Sequence, residues 1–168
     1  DVYGEVLDAF YVARHAGLAT SEAPWALECA LLLHLEKIWR DPDEGIWEVR
    51  GGPRHFTHSK VMAWVAFDRA VRSIEEFGLE GPLERWREVR SASHREVCER
   101  GFDPGQNAFV QAFGGPALDA SVLLIPIVGF LPADDPRVRS TVAAVERKLV
   151  RDGFVMRYDS EAGVDGLP

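Results

Sequence analysis

Apolar positions gather into six helical stretches separated by glycine and proline, and no period-two alternation is sustained along the chain. The first stretch, about 2–16, is amphipathic through Val6, Leu7, Phe10 and Tyr11 and stops at Gly17. A second starts near Ser21, a residue suited to an N-cap, and runs to about Arg40 ahead of Pro42. The third, about 59–77, contains the run 61–67, which is apolar all round and so predicts burial on both sides. Gly78 and Gly81-Pro82 separate it from a far more charged fourth helix, about 82–100. A glycine-rich stretch, 101–115, follows, with 108–113 as its strand-like piece. A fifth, almost wholly apolar helix is predicted over about 118–131. The sixth opens on Asp135-Pro136, an N-cap and a first-turn proline, and ends at Gly153. Its stripe of Val138, Val142, Val145 and Leu149 follows helical spacing.

This pattern predicts an all-α chain of about six helices. The third and fifth are apolar on all sides, whereas the fourth and sixth have a solvated face. Such alternation fits helical hairpins with one inner and one outer member. Hairpins of that kind stack into a solenoid or close into a barrel of inner helices wrapped by outer ones. The loops entering the third and fifth helices would then open at the same end.

Composition narrows the function. A chain of 168 residues is enough for one domain with a proper core, and 46% hydrophobic with 27% charged residues is the profile of a folded, soluble protein. The 19 basic and 27 acidic residues give a net charge of −8, which disfavours nucleic acid because phosphate binding needs concentrated positive charge. No run approaches the ~20 apolar residues of a membrane span, and no signal peptide is visible, so no membrane partner and a cytoplasmic location are expected. Cys29 and Cys98 stand apart in helical patterns and read as free, buried thiols. The chain starts at Asp1 already in a helical pattern, and is expected to be a fragment of a longer protein.

The chemistry concentrates in the long connection between the second and third helices, DEGIWEVRGGPRHFTHSK, residues 43–60. Helix-to-helix connections are usually ~2–8 residues, and loops held on a rigid scaffold are where binding and catalysis sit. His55 and His58 form an H-x-x-H across a helix start, but neither an HExxH motif nor a cysteine cluster supports them as ligands, so no metal and no cofactor are expected. Gly51-Gly52 lacks the lysine-serine pair of a phosphate cradle. Taken one residue at a time, a packing loop with Trp47 inside and charges in water accounts for the segment. Taken together, the residues fit carbohydrate chemistry. Cleaving a glycosidic bond needs a carboxylic acid to protonate the leaving oxygen and a second carboxylate across the sugar. Trp47-Glu48 sets an aromatic platform beside a carboxyl group, and an apolar neighbour favours the protonated form a general acid requires. Arg50, Arg54 and His55 are candidate donors to sugar hydroxyls.

The stretch from Gly45-Ile46-Trp47-Glu48-Val49-Arg50-Gly51-Gly52 through His55-Phe56-Thr57-His58-Ser59-Lys60 to Trp64 resembles glycoside hydrolase family 15, the glucoamylases with glucodextranases and some prokaryotic trehalases. The resemblance extends to Asp1-Val2-Tyr3-Gly4-Glu5, to Leu118-Asp119-Ala120-Ser121, to the segment from Phe130-Leu131-Pro132 to Val138, and to Phe154-Val155-Met156-Arg157-Tyr158. It implies an (α/α)6 barrel of twelve helices, of which residues 1–168 are about half, a partial catalytic domain truncated at both ends. It also implies inverting, exo-acting cleavage of α-glucosidic bonds, glucoamylase-like, with trehalase of the same family as the alternative. The implied substrate is an α-glucoside, a malto-oligosaccharide or trehalose. By resemblance Glu48 is the general acid, Trp47 lines the subsite for the terminal glucose, and Arg157, with Tyr158 beside it, binds hydroxyls.

Two departures from the family pattern stand out. Fungal members carry a second glutamate directly after the acid, where this chain has Val49. The family's general base lies in a glutamate motif beyond the arginine segment, and the neighbours of Glu161 do not match it. The chain alone is therefore expected to be inactive, and the edges of an open half-barrel are expected to support self-association. Asp119 is a candidate stand-in for the base, although capping of the fifth helix is the better account of it. A reading from another class is a non-catalytic helical binding module, which would carry no inward-facing acid.

Overall fold

The computed structural model describes residues 1–18, 22–48 and 51–158. The Ser21 cap, Val49, Arg50 and Glu161 lie outside the described residues. Among these residues the helices are α1 (Val2–His15), α2 (Glu22–Ile38), α3 (Thr57–Phe77), α4 (Leu83–Arg100), α5 (Leu124–Ile127) and α6 (Pro136–Leu149). Two short antiparallel ladders sit in the connections: β1 (Phe102–Asp103) with β2 (Ala108–Phe109), and β3 (Val150–Arg151) with β4 (Phe154–Val155). The chain is all-α, as its apolar pattern predicts.

Helix α3 organises the rest. Residues 57–71 are all buried, because the helix has a core on each side. On one side Ala63, Ala66, Phe67 and Ala70 pack with Leu7 of α1, Leu32 and Leu35 of α2, Trp39 and Trp86. On the other, Val61, Met62, Trp64 and Val65 pack with Val97, Phe109, Val122, Ile125, Phe130 and Val138. A run such as 61–67, apolar on every side, has no other stable place. Helices α1 and α4 flank it, and α4 keeps the solvated face predicted for it beside a buried third helix. No helix among the described residues is long and apolar enough to cross a membrane.

The α1–α3 crossing is unusually close. A Cβ added at Gly4 would stand 2.2 Å from the Met62 carbonyl oxygen, against backbone that cannot swing aside. Gly4→Ala should therefore push the helices apart and destabilise the fold by about 1–3 kcal/mol or more, despite alanine's better helix propensity. Chemical denaturation of the variant checks this, and an unchanged or raised midpoint would contradict the close crossing.

Two predicted elements differ. The fifth helix does not run over 118–131. It begins as a 3₁₀ turn at Ala120–Leu123, continues as the single α-turn Leu124–Ile127, and ends at Gly129 with φ +79°. Asp119 before it is extended, at φ −144° and ψ 133°, because its backbone pairs with Tyr158. Pro126 sits in the first turn of α5, where no donor is needed. Ile127 is 76% exposed, so the segment is not buried on every side. The sixth helix ends at Leu149 rather than Gly153, since Asp152 (φ 51°) and Gly153 (φ 82°) make the tight turn of the β3–β4 hairpin. On α6 Val142 is exposed, and Thr141 takes the buried position instead, accepting a hydrogen bond from the Phe109 N–H at 2.9 Å. Cys29 and Cys98 are free and half-buried, and burial raises both thiols above their usual range.

Candidate active site

The loop between α2 and α3 is closed at its neck by backbone. Asp43 and Arg54 exchange two hydrogen bonds, at 2.9 and 2.8 Å, so the intervening residues leave and return at one point. The Asp43 carboxylate tightens that neck by accepting from the Gly45 N–H at 2.7 Å and the Ser59 hydroxyl at 2.8 Å. Lys60, 3% exposed, donates from below to the carbonyls of Trp39 and Asp41 beyond the end of α2. Burial lowers its pKa, with Asp43 opposing that shift. Gly45 is required here: its φ is +70°, and a Cβ would meet the Phe56 ring at 2.8 Å.

Glu48 follows in a left-handed conformation, φ 48°, which a non-glycine residue adopts at a cost of about 1–3 kcal/mol. Its N–H donates to the Gly45 carbonyl at 3.2 Å, and its side chain is exposed. Strain of that kind persists only where the flanking residues are fixed. Trp47 is fixed on two sides. Its indole N–H reaches both carboxylate oxygens of Asp119 at 3.0 Å, and its ring packs with Tyr158 against Phe56 and Ala112. Arg157 lies over the same ring at 5.4 Å and over Tyr158 at 5.8 Å, with its guanidinium on the exposed side. The Arg157 carbonyl is held by the Ala120 N–H at 2.8 Å.

Residues from three connections thus meet: Trp47 from the α2–α3 loop, with Glu48 next to it in the chain, Asp119 from the entry to α5, and Arg157 and Tyr158 from beyond the β3–β4 hairpin. The loops entering α3 and α5 do open at one end, since Phe56 pairs with Ala112 and the Thr57 N–H donates to the Gln111 carbonyl at 2.8 Å. An aromatic ring, a guanidinium and an adjacent carboxyl group are what a sugar face, its hydroxyls and its glycosidic oxygen call for.

His55 goes elsewhere. It stands next to Phe56 in extended backbone, where neighbours point to opposite sides, and its ring stacks on Phe113 at 6.1 Å. The Arg100 guanidinium lies over the same Phe113 ring, 4.9 Å from its centroid. A separate cavity of about 310 Å³ is lined by residues that include Tyr3, Trp39, Asp43 and Lys60, and not by Trp47 or Arg157. No group of three or more His, Cys, Asp or Glu residues suited to a metal stands together among the described residues.

His58, weighed in the sequence only as half of an H-x-x-H pair, is a buried group. It is 3% exposed, neither ring nitrogen has a hydrogen bond, and the nearest carboxylate oxygen, on Asp1, is 3.9 Å from Nδ1. Burial, opposed by Asp119 and Asp43, lowers its pKa to about 4. Since an unfolded histidine titrates near 6.5, the unfolded chain takes up a proton that the native chain refuses. The stability His58 permits is complete above about pH 6.5 and is lost as pH falls towards 4, on the order of 3 kcal/mol in all. Denaturant midpoints across that window should fall steeply for the wild type and less steeply for His58→Leu. Parallel curves would show that another group sets the acid limit.

Residues 1–167 match the family model described as "Glycosyl hydrolases family 15". The chain belongs to that family. Its relatives include the trehalase of Mycobacterium tuberculosis, 42% identical over 167 residues that cover 99% of this chain and 24% of that protein. The trehalase of Thermoplasma volcanium is 35% identical, covering 99% of this chain and 27% of its own. A glycosidase variant solved in complex with glucose superposes with a TM-score of 0.79 at 21% identity, over 93% of this chain and 41% of that one. The chain therefore spans about a quarter of the length of the curated relatives it matches. As a family 15 chain, its helices form about half of an (α/α)6 barrel.

Proposed function

We propose that residues 1–168 are the acid-bearing part of the catalytic domain of an inverting α-glucoside hydrolase, and that its substrate is trehalose. The observation that carries this reading is the meeting of Trp47 and Arg157 on one face, directly beside Glu48. The trehalase relatives favour trehalose over the malto-oligosaccharides of a glucoamylase-like enzyme.

In this reading Trp47 supports one face of the glucose ring and Arg157 donates to its hydroxyls. Glu48 gives its proton to the bridging oxygen as the bond to the anomeric carbon breaks. Water attacks that carbon from the opposite face, and a carboxylate about 6.5–9.5 Å from the acid takes the water's proton. That base comes from a segment other than the described residues, so the isolated chain is inactive. Ile127, Phe154 and Val155, all more than half exposed, belong to a surface that the other barrel elements cover, and the same apolar surface drives self-association when they are missing.

A substrate panel on the full-length protein tests the reading. Glucose release from trehalose should exceed that from maltose and starch by roughly tenfold or more in kcat/KM. Preference for maltose or starch would restore the glucoamylase-like alternative. No release from any of them by a folded protein would leave the helical binding module.

A further inference from the structure

We propose that Asp119 is the positioning residue of this site: a buried carboxylate that fixes the Trp47 indole, and through it the turn carrying Glu48, and that does not act as the base. The proposal rests on the hydrolase reading above.

A carboxylate offers about four lone-pair sites. In Asp119 three N–H donors engage both oxygens, the indole N–H being shared between them. Oδ1 accepts from the Trp47 indole at 3.0 Å and the Ser121 N–H at 2.8 Å, and Oδ2 accepts from the same indole and from Gln111 Nε2, both at 3.0 Å. The residue is 1% exposed. A general base must reach a water on the far side of the sugar, and Asp119 is buried with both oxygens already accepting hydrogen bonds. Capping alone does not account for it either. The cap uses one contact, to Ser121, whereas the other donors come from Gln111 and from the acid loop itself.

The backbone of the same corner completes the link. Asp119 pairs with Tyr158, and the Ala120 N–H holds the Arg157 carbonyl at 2.8 Å. One corner therefore ties the acid loop by its side chain and the arginine segment by its main chain. Glu48, in a left-handed backbone with an exposed side chain, depends on its fixed neighbour Trp47 to stay aimed. A misplacement of about 1 Å at a reacting group costs as much as ~10²-fold in rate.

The test uses the full-length protein with Asp119→Asn, Trp47→Phe, the double variant and Glu48→Gln. Asparagine turns an N–H towards at least one of the three donors, and phenylalanine keeps a ring but deletes the indole N–H. Each single variant should lower kcat/KM by roughly 10–10²-fold without removing the pH–rate limb set by the base. The double variant should be no worse than about twofold below the poorer single, because both changes break one contact. Additive losses would overturn the proposal. So would a fall of Asp119→Asn to the Glu48→Gln level with turnover restored by azide, the sign of a missing base. If Asp119→Asn fails to fold, Trp47→Phe must still show its loss while melting like the wild type, and a Trp47→Phe enzyme with normal kcat/KM would also overturn the proposal. Exchange of the Trp47 indole proton, slow in the wild type and fast in Asp119→Asn, reads the contact independently of activity. If Glu48→Gln keeps full activity, the acid assignment fails, and indole exchange still decides whether Asp119 holds Trp47.

Discussion

Glu48→Gln in the full-length protein should lower kcat on trehalose by roughly 10²–10⁴ while the protein folds and melts as the wild type does. Glutamine matches glutamate in shape and keeps the acceptor oxygen, but has no proton to give the leaving group. The side chain is exposed, so nothing in the core depends on its charge. What is lost is the transfer of a proton to the bridging oxygen, and that loss should fall on kcat more than on KM. Steady-state kinetics with thermal denaturation of the same samples provides the check. A variant that hydrolyses trehalose at near-normal rate removes Glu48 from the mechanism.

The largest effect on stability is expected at the other end of α1. Arg14 and Glu28 form an ion pair with side chains 5% and 1% exposed, between α1 and α2. Arg14 also donates to the Ser73 hydroxyl at 3.0 Å, and its guanidinium lies 5.3 Å from the Trp25 ring. Burial raises the Glu28 pKa, and Arg14 works against that rise. Arg14→Leu removes the opposing charge and leaves a carboxylate in an apolar site, a change that typically costs about 3–5 kcal/mol. The deficit should narrow in acid. With its folded pKa raised further, Glu28 binds a proton in the native state before the unfolded chain does, so stability is regained as pH falls towards about 4.3. Arg14→Leu with Glu28→Leu should recover most of the loss at neutral pH, since no unpaired charge remains. Denaturation at pH 7 and pH 5 of the single and double variants separates these outcomes. A pH-independent deficit, or a double variant no better than the single, would contradict the account.

How much of this could be read from the sequence differs by element. The double burial of α3 follows from the apolar run 61–67, but the burial of its polar flanks does not: Lys60 and Arg69 are buried on partners from other elements. The α2–α3 loop was visible because breakers and functional side chains crowd one connection. The fifth helix misled because an apolar segment reads as helix wherever it lies. What shortened it is Pro126, the left-handed Gly129, and the pairing of Asp119 with Tyr158, which only the fold brings together. The β3–β4 turn did have a local sign in Asp152-Gly153, a pair suited to two positive φ angles. At the site, Trp47, Glu48 and Arg157 were named from motif resemblance. Their tie through Asp119 spans 72 residues between Trp47 and Asp119, beyond any local pattern. Likewise nothing local distinguishes His55, stacked on Phe113, from His58, sealed inside α3.

The central claim is that the Trp47-Glu48 loop serves an inverting hydrolysis, and the anomeric form of the first product tests it most directly. Trehalose joins two glucose units through α-linkages at both anomeric carbons. An inverting cleavage with water attacking one of them gives one β-glucose and one α-glucose at the outset. Proton NMR of the full-length protein acting on trehalose, read before the anomers equilibrate, should show the two in equal amounts from the first time points. α-Glucose as the sole initial anomer would mean retention through a covalent intermediate and would contradict the claim.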